Sequence, residues 1–186
     1  LLGSVSNVLF ATNLPKPATE FTKQLNQQIL SELPFSDTAD FDNARRGFIA
    51  KPDPFTVKDA QGKVVWDLES FKSFINASSA APDTVNPSLW RNASLNMEYG
   101  LFKVTDGIYQ VRGFDVSNIT FIQGKTGWIV FDPLVSVEVA KAALDLINQK
   151  VGYRPVVALV YSHCHVDHYG GAAALLKPSE VNSGIV

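Results

Sequence analysis

The chain has 186 residues, 46% of them hydrophobic and 18% charged, with a formal net charge of -2. That much apolar material buries a core of one domain or slightly more, which excludes a disordered chain. The lack of any basic run argues against a nucleic-acid partner, and no apolar stretch is long enough to span a bilayer.

The opening LLGSVSNVLFA is mildly apolar without a basic flank, so it does not read as an intact signal peptide; beginning at Leu1, it predicts a native start further upstream. Phe21, Leu25, Ile29 and Leu33 fall four apart and predict one face of a helix that Pro34 ends. Residues 34–98 are rich in Pro, Asp, Asn and Ser and predict a wrapping segment of irregular loops, with one helix over PSLWRNASLNM. From Leu101 the pieces LFKVT, GIYQVRG, NITFIQG and GWIVFD predict an antiparallel meander, turned at Asp106-Gly107 and Lys125-Thr126-Gly127.

Ser136 then caps a helix through VEVAKAALDLINQK, with Val139, Ala143, Leu146 and Ile147 on its buried face and Gly152 closing it. VVALVY, apolar at nearly every position, predicts a central strand covered on both faces. A further helix is expected to open over Gly171 to Leu176, before Pro178. Strand, helix, strand after a meander is an α/β arrangement, and ligands gather beyond the carboxyl ends of such strands. The segment SHCHVDHYGG stands at that place.

All three histidines, His163, His165 and His168, lie within six residues together with Asp167. Imidazole and carboxylate are ligands that zinc and similar divalent ions accept. In extended chain His163 and His165 point to one side and can chelate one ion. Asp167 and His168 come where the chain turns and can be aimed at a second, with Gly170 and Gly171 letting the backbone fold tightly behind. A nonspecific surface tract would have no reason to follow an apolar strand or to end in paired glycines. Cys164, between two histidines that share a side, is expected to face the other way into the core.

Asp132, at the end of GWIVFD and before Pro133, reads equally as a turn residue or as the acceptor that orients a ligand histidine. Arg112 and Asp115 read by default as a solvated pair in a turn. If that turn overhangs the metals, Arg112 or Asn118 can hold an anionic group. The glycosylation patterns at Asn76, Asn92 and Asn118 are short enough to arise by chance and carry little weight.

SHCHVDHYGG resembles the His-x-His-x-Asp-His signature of the metallo-β-lactamase superfamily. ELPFSDTADFDNARRGFIA, VVWDLESF, APDTVNPSLWRNASLN and GLFKVTDGIYQVRGFDVSNITFIQGKTGWIVFDPL together resemble the amino-terminal portion of the alkyl sulfatases that degrade dodecyl sulfate. The resemblance implies the first part of an αβ/βα sandwich over residues 99–186, preceded by an extension, residues 1–98, that wraps it. It implies two zinc ions per complete site, one on His163 and His165 and the other on Asp167 and His168, with Asp167 also a catalytic carboxylate and Asp132 the supporting aspartate.

Relatives of this kind continue into the rest of the metal-binding domain, a helical dimerisation domain and a sterol-carrier-like domain. The resemblance therefore implies a chain that is one part of a homodimeric enzyme, inactive by itself, whose remainder can be a separate chain. Its substrate would be a small alkyl sulfate, and its compartment the periplasm or the exterior in preference to the cytoplasm. The rival readings are another hydrolase of the superfamily, acting on a lactone, thioester or phosphoester, and a metal-binding fragment without catalysis.

Overall fold

A computed structural model describes residues 16–75 and 79–184; the opening segment and the Asn76 pattern lie outside them. Helix α1 (Glu20–Glu32) begins where Thr19 accepts the Thr22 amide, as a good N-cap does. Its apolar stripe is largely exposed, with Phe21 at 70% and only Ile29 half-buried. Short helices α2 (Ala39–Arg45) and α3 (Glu69–Lys72) flank strand β1 (Phe48–Ala50) and the hairpin of β2 (Thr56–Lys58) with β3 (Val64–Asp67). Helix α4 (Pro87–Leu95) starts on Asn86, whose side chain accepts the Ser88 and Leu89 amides, with Pro87 in the first turn.

The region 34–98 is therefore more ordered than its composition predicts. Strand β1 joins the main sheet through Phe48 opposite Phe102. Phe55 packs against Tyr99 and Phe114, at ring-centroid distances of 5.8 and 4.2 Å.

The meander forms as expected: β4 (Gly100–Thr105), β5 (Ile108–Arg112), β6 (Ile119–Gln123) and β7 (Trp128–Phe131) pair antiparallel in sequence order. A crossover through α5 (Val137–Lys150) returns the chain to β8 (Val156–Val160), parallel to β7, as a parallel pair requires. Alternation places Val111, Ile119, Phe121, Trp128 and Val130 in the core, which α5 completes with Val139, Ala140, Ala143 and Ile147. Each of the valines, isoleucines and Phe121 among them, fully buried, contributes roughly 1.5–3 kcal/mol, and each alanine less. Trp128 keeps its polar edge satisfied by donating Nε1–H to Asn148 Oδ1 at 3.0 Å.

Strand β8 departs from expectation. Among the described residues it pairs only with β7 and forms the sheet edge, its middle half-buried and Val160 37% exposed. Apolar composition states what a strand can bury, not which polypeptide lies beside it. The helix expected over Gly171 to Leu176 is a 3-10 turn, Ala172–Ala174, and a separate short helix α6 (Pro178–Asn182) starts at the proline. No described helix is long and apolar enough to cross a membrane.

Candidate metal centre

Strands β7 and β8 run in the same direction and end side by side, so the residues that follow them meet. Asp132 takes a left-handed backbone, φ 55°, a conformation that short polar side chains tolerate best. It reaches across to the segment after β8: Oδ1 accepts the Ser162 amide at 2.8 Å, and Oδ2 accepts the Ser162 hydroxyl at 2.7 Å. The same Oδ2 accepts from His168 Nδ1 at 2.9 Å. Burial pushes the Asp132 carboxyl up, but these donors outweigh it and hold the pKa below the ordinary carboxylate range. Of the two sequence readings of Asp132, the structure supplies the acceptor of a histidine N–H.

A carboxylate can only accept, so His168 Nδ1 donates to Asp132, while Nε2 faces Asp167 Oδ2 at 3.2 Å, two atoms that a shared proton or a cation would bridge. His163 Nε2 and His165 Nδ1 are 3.1 Å apart, and Ser162 Oγ lies 2.9 Å from His163 Nδ1. The His163 ring is 4.0 Å from that of His168 between centroids and 4.7 Å from that of His165. Two nitrogens on one tetrahedral zinc, each about 2.0–2.1 Å from it, are about 3.3 Å apart. Both donor pairs, His163 with His165 and Asp167 with His168, match that edge length. Among the described residues no group of three or more His, Cys, Asp or Glu side chains converges to hold one ion. Each pair thus has the spacing of two ligands on one ion, short of a complete coordination shell.

The motif backbone is held from behind. Val166–His168 is a 3-10 turn, the Gly170 amide donates to Val166 O at 2.7 Å, and the Gly171 amide donates to Leu134 O at 3.0 Å. A Cβ on Gly170 would collide with the Val135 carbonyl, and one on Gly171 with the Pro133 carbonyl and with Ala140 Cβ at 2.5 Å. The paired glycines are there for close approach.

Two expectations are corrected. Cys164 is exposed, because the strand stops at Val160 and the motif has already left the sheet. Arg112 and Asp115 are not a solvated pair. Asp115 is only 6% exposed and accepts the Ser117 and Val135 amides on its two oxygens, each at 2.7 Å. Burial pushes its pKa up, against those hydrogen bonds. Arg112 lies over the Phe102 ring at 4.5 Å and donates Nε–H to Gln110 Oε1 at 2.7 Å; burial lowers its pKa. It makes no ion pair among the described residues.

Arg112 and the exposed Asn118 both line a cavity of about 720 Å3 with Trp66, Leu68, Phe71 and Met97. Neither hydrogen-bonds to the four motif ligands. Ser117, which sequence reasoning missed, lines the same cavity and donates its hydroxyl to the Asp167 carbonyl at 2.6 Å. Ser162 was missed as well. Its place between a strand end and the first histidine was the only available signal, since its partner Asp132 is thirty residues away.

Parallel strand ends that bring these histidines and aspartates together are an α/β arrangement, and residues 112–186 match the model of the metallo-β-lactamase superfamily, a likeness that implies metal ions. The relatives are more particular. The chain is 49% identical over 182 residues to the linear primary-alkylsulfatase of a Pseudomonas species, covering 98% of this chain and 27% of that protein. It is 47% identical to an (R)-specific secondary-alkylsulfatase of Pseudomonas, covering 92% and 25% of the two chains, and 43% identical to the yeast alkyl/aryl-sulfatase BDS1, covering 89% and 25%. The solved structure of the stereoselective inverting sec-alkylsulfatase Pisa1 from Pseudomonas superposes with a TM-score of 0.84 at 47% identity, over 91% of this chain and 26% of that one. This chain spans about a quarter of the length of these relatives.

Proposed function

We propose that this polypeptide forms part of a zinc-dependent alkyl sulfatase, which hydrolyses alkyl sulfate esters such as dodecyl sulfate to alcohol and sulfate. The observation that carries this reading is the pair of donor edges, His163 with His165 and Asp167 with His168, at the ends of β7 and β8 in a chain similar to proteins named alkylsulfatases. His163 and His165 would hold one ion, and Asp167 and His168 the other. Bound zinc supplies Lewis acidity and brings the pKa of a water toward about 7.

The protein's own residues do the positioning. Asp132 accepts from His168 Nδ1 and so aims Nε2 toward Asp167 and the metal position, and Ser162 ties that aspartate to His163. Asp167 makes a single contact to His168 through Oδ2, so its other oxygen is available to take a proton from the attacking water. Arg112, without a carboxylate partner, and Asn118 are the candidates to hold the anionic group of the ester. Residues 1–98 then form an extension over the catalytic part that starts at residue 99. The remaining coordination positions come from further polypeptide, in the same or a separate chain, and the complete enzyme is a homodimer.

The test is release of inorganic sulfate from dodecyl sulfate by the complete, zinc-loaded protein. Release that stops on chelation, with lactones, thioesters and phosphoesters untouched, supports the proposal. Faster turnover of one of those esters, or zinc retention without any turnover, contradicts it.

A further inference from the structure

The β5–β6 connection, residues 113–118, holds a buried polar chain that runs to the motif. The Asp115 carboxylate receives the Ser117 amide on Oδ1 and the Val135 amide on Oδ2, each at 2.7 Å. Ser117 is 8% exposed, its hydroxyl within 3.3 Å of Asp115 Oδ1 and 2.6 Å from the Asp167 carbonyl oxygen. A hydroxyl has one proton to give, and the shorter contact takes it. Three loops that are far apart in sequence are thereby joined: 113–118, the β7–α5 loop at Val135, and the motif turn. Asp132 ties both sides of the motif, through Ser162 to His163 and directly to His168 Nδ1, whereas Ser117 reaches only Asp167.

Resting on the metal reading above, we infer that Asp115 and Ser117 are positioning residues for the second ligand pair. By fixing the Asp167 carbonyl, they set the angle at which the Asp167 carboxylate meets His168 Nε2. Neither side chain touches the ion or the substrate. Partners of this kind, one bond removed from a ligand, are worth about 10–100-fold in metal affinity, and this one acts on only one of the two ions.

Zinc titration of the protein against a competing chelator, with amide hydrogen exchange on the metal-free form, tests the inference. Ser117→Ala should weaken one of two zinc equivalents by about 10–100-fold and leave the other unchanged, with Ser117→Thr recovering most of the loss by restoring the hydroxyl. Asp115→Asn keeps the volume but turns an N–H toward the Ser117 or Val135 amide, and should weaken the same equivalent. In metal-free Ser117→Ala, exchange should quicken at the His168 and Gly170 amides, which donate to His165 O and Val166 O, and stay unchanged along the β5–β6 ladder.

Unchanged affinities and exchange overturn the inference, as does equal loss of both ions with exchange quickened across the β5–β6 ladder. If the wild type binds no zinc, the metal reading fails. The clamp is then judged by exchange alone: quickening confined to the motif turn supports it, and unchanged rates overturn it.

Discussion

Asp132 combines a left-handed backbone with three accepted hydrogen bonds, and the consequences of changing it can be worked out atom by atom. Asn tolerates the same φ, so Asp132→Asn should fold. Its amide nitrogen, however, takes either the place of Oδ1, facing the Ser162 amide, or that of Oδ2, facing both the Ser162 hydroxyl and His168 Nδ1. Where it faces the histidine, Nδ1 must become an acceptor and the proton moves to Nε2, the atom assigned to metal. The expected result is zinc affinity lower by about 10–100-fold with a melting temperature close to wild type. Equal affinity would remove the orienting role.

Asp115 supplies a pH dependence whose sign is fixed by burial. Its folded pKa is raised, so its protonated form favours the native state. That contribution is complete below about pH 4, where the unfolded carboxyl is also protonated, and is lost as pH rises through the higher folded value. Urea unfolding across that interval should show the wild type losing stability with rising pH in a way that Asp115→Asn does not. Parallel curves would contradict the assignment. Sequence could expose His163, His165, Asp167 and His168 because they are neighbours in the chain. It could not expose Asp115 with Ser117, or Ser162 with Asp132, because those links depend on which loops meet.

Elements with a strong local period were the legible ones. Strands β4 to β7 and helix α5 form where alternation and the Ser136 cap placed them, and Val139, Ala143 and Ile147 are buried as expected, Leu146 only partly. Strand β8 was legible as a strand, but not as the edge of the described sheet. Cys164 was misassigned for a related reason: alternation was carried past the point where β8 stops.

The junction between α5 and the motif is the element-level feature most open to test. Gly171 sits against the Pro133 and Ser136 carbonyls and Ala140 Cβ, so an added methyl must displace backbone. Gly171→Ala should cost about 1–3 kcal/mol in urea unfolding and loosen the motif at the same time. A neutral substitution would show that the loop packs less closely than described.

At the scale of the molecule, one sheet face is closed by α5, and the ends of β7 and β8 carry the candidate chemistry. The chain covers about a quarter of each curated relative. If the apolar lining beside Arg112, with Trp66, Leu68, Phe71 and Met97, receives the tail of an alkyl sulfate, each buried methylene is worth roughly 0.8 kcal/mol. KM of the complete protein should then fall by up to about fourfold per added CH2 until the cavity is filled. A KM independent of chain length would place the tail in water.

Under the proposed function the motif would hold two metal ions by separate ligand pairs. Crystals of the zinc-loaded protein, measured for anomalous scattering at the zinc edge, test it most directly. One peak is expected between His163 Nε2 and His165 Nδ1 and a second between Asp167 and His168 Nε2, with His168 Nδ1 still on Asp132. No peak at the motif, or a single ion held by other side chains, would contradict it.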